Sequence, residues 1–131
     1  MRLATCFAVV ALAAGAATEY VGDDGGDWSS DANWSDGIPG DGADVLIDGH
    51  SPILAAPTPA LKSVVVTNAT LTFTNWAATL SAGTVTVRNG GKITHAPCDI
   101  RFDTGNTNRV RIVCTDLTLD PGGKIDVNGR G

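Results

Sequence analysis

Glutamate is almost missing from this chain of 131 residues: of its fourteen acidic side chains only Glu19 is Glu, and the rest are Asp. Lysine is scarce as well, at three positions, Lys62, Lys92 and Lys124. Glu and Lys are the usual material of solvent-facing helix surfaces, so their shortage argues against amphipathic helices. Aromatic residues make up 5% of the chain. Basic residues are outnumbered nine to fourteen, for a net charge of −5, which excludes nucleic-acid binding by bulk charge. His50 and His95 are the only histidines, and no HExxH motif or Ser/His/Asp order accompanies them. No catalytic residue and no resident cofactor can be assigned from these residues. Beyond residue 17 no apolar run is long enough to span a bilayer, so the mature chain is expected to hold no transmembrane segment.

What the chain does have begins with residues 1–17, MRLATCFAVVALAAGAA. Arg2 gives a positive start, an apolar run follows, and Ala14-Gly15-Ala16 supplies small residues for cleavage. This is the pattern of a secretory signal peptide, and it implies a secreted, extracellular or cell-surface protein. Cys6 leaves with the leader. In an oxidising compartment Cys98 and Cys114 are then expected to form a disulfide, with two buried free thiols as the alternative.

Charge divides the remainder. Residues 19–48 carry nine acids and no base, whereas residues 49–131 carry five acids and eight bases. Residues 18–42 read as an acidic, Trp-containing opening cap, and residues 43–131 as a run of short strands. The strand candidates are 43–48, 61–66, 70–74, 84–87, 92–94, 100–102, 110–113, 117–119 and 124–127. In 70–74, Leu71 and Phe73 alternate with three threonines, the period of a half-buried strand. Sixteen glycines and six prolines punctuate the run.

An internal repeat organises these strands. Thr84-Val85-Thr86-Val87-Arg88-Asn89-Gly90-Gly91-Lys92-Ile93-Thr94 matches Asp116-Leu117-Thr118-Leu119-Asp120-Pro121-Gly122-Gly123-Lys124-Ile125-Asp126. A looser copy starts at Val64, with a turn about one residue shorter. Such a unit cannot bury its own apolar side, and stacking the copies solves that problem. The expected fold is therefore all-β: a fragment of a right-handed parallel β-helix, or β-solenoid, with an N-terminal cap. A β-sandwich is the runner-up. Val66, Val87 and Leu119 should line up along one axis. Residues 98–114 form the insertion between copies. As a hairpin they would set Cys98 across from Cys114, Ile100 across from Ile112, Phe102 across from Val110 and Asp103 across from Arg109. Alternatively, 109–114 begins a new rung of the parallel stack.

Two groups of side chains are candidates for ligand binding. Arg88, Arg101, Arg109 and Arg111 could form a basic strip for an anionic polysaccharide, because the guanidinium fork matches carboxylate and sulfate. A solvated face paired with nearby Asp is the plainer reading. Trp28 and Trp34 could cover the open end of the apolar column or, alternatively, stack on sugar rings. The acidic run from Asp23 to Asp44 is the place for calcium, if any. It lacks both the EF-hand spacing and the Gly-Gly-x-Gly-x-Asp repeat, so it reads as a turn-forming solvated face and no metal site is assigned. Asn33-Trp34-Ser35 and Asn68-Ala69-Thr70 are N-glycosylation sequons.

The segment from Gly26-Asp27-Trp28 through Asn33-Trp34, Gly37-Ile38-Pro39 and Asp44-Val45-Leu46-Ile47 resembles the opening of large secreted β-helix proteins, and the eight-glycine domain of some extracellular proteins. The stretch from Leu117 through Lys124-Ile125-Asp126-Val127-Asn128-Gly129 is similar to rungs of bacterial cell-surface β-helix proteins. The resemblance implies the N-terminal cap and first rungs of a longer chain, truncated at the C-terminus, whose partner is its own missing rungs. It implies an exported structural or adhesive module that meets polysaccharide or cell-surface components. The alternative it implies is the non-catalytic N-terminal part of a β-helix polysaccharide lyase or glycoside hydrolase.

Overall fold

The computed structural model describes residues 17–98 and 107–129. The leader expectation for residues 1–16, and the hairpin positions Ile100, Arg101, Phe102 and Asp103, fall outside the described residues. Nine strands follow in chain order: β1 Ala17–Glu19, β2 Asp44–Asp48, β3 Ile53–Leu54, β4 Leu61–Thr67, β5 Thr70–Phe73, β6 Leu80–Arg88, β7 Lys92–His95, β8 Ile112–Leu119 and β9 Lys124–Ile125. The described residues contain no α-helix, only a 3-10 turn at Asp31–Asn33. The chain is all-β.

From β2 onward successive strands alternate between two sheets. One has the order β1-β2-β4-β6-β8 and the other β3-β5-β7-β9. Every pairing between these strands is parallel. That sets aside the β-sandwich, whose consecutive strands pair antiparallel. Val66 is the register partner of Val87, and Val87 of Leu119. Leu71, Ile93 and Ile125 align in the same way in the second sheet. The shorter first turn is visible in these registers. Five positions separate Val66 from Leu71, but six separate Val87 from Ile93 and Leu119 from Ile125.

The long strands bury side chains with a change of parity. In β4, Leu61 is buried and then Val64 and Val66. In β6, Leu80 and Ala82 are buried, and then Val85 and Val87. A flat strand keeps one face at every second residue, so a step of three means that the strand turns its inner face at Lys62-Ser63 and at Gly83-Thr84. Ile112 and Cys114, then Leu117 and Leu119, repeat the offset through their register with β6. The strands share one core, in which Ile47, Val66, Leu71, Phe73, Leu80, Val87 and Ile93 are fully buried.

The turns between the sheets stack as closely as the strands. Asn68 N–H donates to Asn89 O at 3.1 Å, Asn89 N–H to Pro121 O at 3.2 Å and Gly90 N–H to Gly122 O at 2.8 Å. Asn68 and Asn89 adopt left-handed backbone at φ 50° and 49°. Asn reaches that region at lower cost than most side chains.

Over the first coil lies an aromatic lid. β1 pairs with β2, so Ala17, which the sequence assigned to the leader, sits opposite Asp44. Tyr20, Trp28 and Trp34 follow and are all buried. Trp34 packs edge-on to Tyr20 at 5.4 Å and to Trp28 at 4.8 Å between ring centroids, and its Nε1–H donates to Trp28 O at 2.7 Å. Burial, together with Asp23, Asp24 and Asp27, raises the Tyr20 phenol above its ordinary pKa. Its O–H donates to Asp23 O at 2.8 Å.

β8 and β9 are the outermost described strands at the other side. Leu117 and Leu119 follow the inner register of β6, yet they remain 45% and 50% exposed, and Val113 and Val127 are exposed beside them. An edge strand with apolar side chains templates further pairing. We expect concentration-dependent self-association by light scattering, relieved by the double substitution Leu117→Lys and Leu119→Lys. A wild-type protein that stays monomeric at all concentrations would contradict this.

Candidate functional site at the β5–β6 corner

Asn108 and Arg109, which lead into β8, lie on the corner where β5 hands the chain to β6. That corner is itself a stack of turns. Thr58 N–H donates to Thr79 O at 2.9 Å, and Ser81 N–H to Thr58 Oγ1 at 3.0 Å. Asn75, at φ 80°, turns the chain left-handed just before Trp76. From above, Asn108 clasps this turn. Its side chain is 7% exposed, its Oδ1 accepts from Asn75 N–H at 2.6 Å, and its Nδ2 donates to Pro97 O at 3.1 Å. A buried amide with both ends bonded fixes the geometry of what it joins.

Two arginines reach the same turn. Arg109 Nε–H donates to Trp76 O at 2.9 Å, and its guanidinium carbon lies 4.1 Å from the centroid of the Trp76 ring. This is cation–π geometry, worth about 0.5–1 kcal/mol at an exposed site. Arg111 Nη1 lies 3.5 Å from Thr79 Oγ1, while Arg111 O accepts from Leu80 N–H at 2.9 Å. Trp76 is 53% exposed, the most exposed aromatic side chain among the described residues. The corner thus offers an exposed indole with the Arg109 guanidinium on its face, and the Arg111 guanidinium at Thr79, three residues further along the chain. An aromatic face stacks on sugar C–H groups, and a guanidinium fork donates to the oxygens of a carboxylate or sulfate.

The residues singled out from sequence divide accordingly. Arg109 and Arg111 come together here. Arg88 closes β6 beside the Asn89 turn, at the other end of that strand, and Arg101 falls outside the described residues. Trp28 and Trp34 are 2% and 4% exposed, so neither can offer a ring face to a sugar, and the stacking alternative for them is set aside. The aromatic that the sequence reading passed over is Trp76. A signal was present: it stands in a turn among small residues, outside any alternating apolar pattern.

The expected disulfide is corrected. Cys98 and Cys114 are both free. The Cys98 thiol lies on Asn108, accepting from its N–H at 3.2 Å and facing its carbonyl at 3.4 Å. Cys114 belongs to the parallel ladder, opposite Ala82. Residues 112–114 therefore extend a coil rather than return a hairpin, and the two sulfurs serve separate neighbourhoods.

His95 is 7% exposed, and its Nδ1 lies 2.7 Å from Ala96 O. Among the described residues no three or more His, Cys, Asp or Glu side chains stand together as a metal site. No helix among them is long and apolar enough to cross a membrane.

No curated protein and no solved structure matches the chain. The G8 domain family model matches residues 33–115, from the lid through the first half of β8. That span takes in the β5–β6 corner and more than half of the sequence, and the chain belongs to the G8 domain family, a family of extracellular domains.

Proposed function

We propose that this protein is an exported structural module, the capped start of a right-handed parallel β-helix, which binds acidic saccharides at the corner formed by Trp76, Arg109 and Arg111. The solenoid reading is supported by strands that alternate between two parallel sheets, with a parity shift within β4 and β6. The uncovered Leu117 and Leu119 would be the seat for further coils of the same kind. Membership of an extracellular family supports export. The single observation that carries the binding role is the Arg109 guanidinium seated on the exposed Trp76 ring and tied to its carbonyl. Ring and guanidinium are held in one arrangement before a ligand arrives, which lowers the ordering cost of binding.

The test is calorimetric titration with a uronic-acid oligosaccharide and with the same oligosaccharide after its carboxylates are reduced to alcohols. The acidic form is expected to bind and the neutral form to bind at least ~10-fold more weakly, because a charge-assisted hydrogen bond contributes about 1.5–3 kcal/mol. Trp76→Ala and Arg109→Ala should each weaken binding to a similar degree. Both side chains lie at the surface, so the variants should melt close to wild type. Undiminished binding by Trp76→Ala, or equal binding of the two oligosaccharides, would reject the site.

A further inference from the structure

We propose that Asn68 is a site of N-linked glycosylation and that Asn33, the other residue in a matching sequence context, is not. The proposal rests on the export reading, because the modifying enzymes act on chains entering the secretory route.

Both positions satisfy the Asn-x-Ser/Thr pattern, as Asn33-Trp34-Ser35 and Asn68-Ala69-Thr70. The fold treats them differently. Asn33 lies in the lid. Its Nδ2 donates to Asp27 O at 3.0 Å, its carbonyl accepts from Val21 N–H at 2.8 Å, and the following residue is the buried Trp34. Gly22 packs so tightly on it that a Cβ at position 22 would stand 2.6 Å from Asn33 Cγ. A glycan on the Asn33 amide would have to break the bond to Asp27 and push the chain off the aromatic cluster.

Asn68 has the opposite setting. It is exposed at the tip of the turn between β4 and β5. Its left-handed backbone is held by the bond from its N–H to Asn89 O. Among the described residues its side-chain amide makes no hydrogen bond. Its neighbours look after themselves: Ala69 is buried, and Thr70 N–H donates to Ser51 Oγ at 3.0 Å. A sugar at Asn68 costs the fold no contact. The two ends of β5 lie roughly 10 Å apart at ~3.3 Å per residue, so the glycan would also leave the Trp76 corner open.

In the transfer, the Asn68 amide nitrogen attacks the anomeric carbon of an oligosaccharide carried on a lipid pyrophosphate. The C–N bond forms as the C–O bond to the pyrophosphate breaks. The electron pair leaves with the lipid pyrophosphate, and the amide gives up one proton to the transferase.

The experiment expresses the chain in a eukaryotic secretory host, once with its own residues 1–17 and once behind an unrelated leader. Protein is recovered from the medium and its peptides are mass-analysed before and after treatment with the amidase that converts glycosylated Asn to Asp. The expected result is one glycan, on Asn68. Asn68→Asp, which tolerates the left-handed backbone, and Thr70→Val, which keeps the β-branched strand residue, should each abolish it, while Ser35→Ala should leave it unchanged. A glycan on Asn33, or no glycan on secreted protein, overturns the proposal. Failure of the native leader alone to deliver protein to the medium would overturn the export reading instead, and the protein made with the unrelated leader would still decide the fate of Asn68.

Discussion

Gly91→Ala is expected to cost at least ~3 kcal/mol and to leave little folded protein at ambient temperature, whereas Gly90→Ala, one residue earlier, should cost only about 1–2 kcal/mol. The reasons differ in kind. Gly90 has φ 83°, and a Cβ there would meet nothing closer than Asn68 Cα at 4.0 Å, so alanine adds only left-handed strain. Gly91 has no such backbone. Its Cβ would collide with Val66 O of the coil below and would stand 2.8 Å from Val66 C and 2.9 Å from Arg88 O. These atoms are backbone and cannot rotate away. Relief requires lifting β6 and β7 from β4 and β5, which breaks a ladder in both sheets. Gly123 makes the same approach to Val87 O in the next coil, with Arg88 N at 2.7 Å. Gly123→Ala should be milder than Gly91→Ala, because β8 and β9 are the last described strands of their sheets and each pairs with one described neighbour only. Urea unfolding of the three variants, followed by far-ultraviolet circular dichroism, gives the order. Equal loss at positions 90 and 91 would show that conformational strain, not coil spacing, sets the requirement for Gly-Gly.

This contrast explains how much of the fold could be read from the sequence. The paired Gly-Gly-Lys-Ile segments record two constraints at once, a left-handed turn and a close backbone contact with the preceding turn, and both recur at the second copy. Their spacing therefore predicted the alignment of Val87 with Leu119. A period of two predicted the inner face of β5 but missed the start of β6 at Leu80, because the inner face shifts parity at Gly83-Thr84, and it does not describe β7, where Ile93, Thr94 and His95 are buried in succession. β3 is two residues long and carries no period at all. The binding corner was only half visible. Arg109 and Arg111 could be seen as basic, but the ring that Arg109 meets is 33 residues away, and no local pattern records that meeting. The disulfide expectation failed for a related reason. It used compartment and loop length, whereas Asn108 decides where Cys98 lies.

The lid gives the second large effect. Trp34→Ala is expected to destabilise the protein by about 3–5 kcal/mol, the range for deleting a buried aromatic side chain. The more discriminating pair is Trp34→Phe against Trp28→Phe. Trp34→Phe keeps a ring between Tyr20 and Trp28 but removes the Nε1–H that serves Trp28 O, leaving a buried carbonyl short of its donor. Such a loss costs about 1–3 kcal/mol. Trp28 is the reverse case. Its Nε1–H is buried and has no hydrogen-bond partner among the described residues, so phenylalanine at 28 gives up ring area but also removes an uncompensated polar group. Trp28→Phe should therefore be the milder change by about 1–2 kcal/mol, although Trp28 is the more deeply buried of the two side chains. Thermal unfolding of both variants measures the difference. If the larger loss falls at position 28, ring area dominates the lid and the Trp34–Trp28 hydrogen bond contributes little. If it falls at position 34, that bond holds the opening segment across the end of the apolar column.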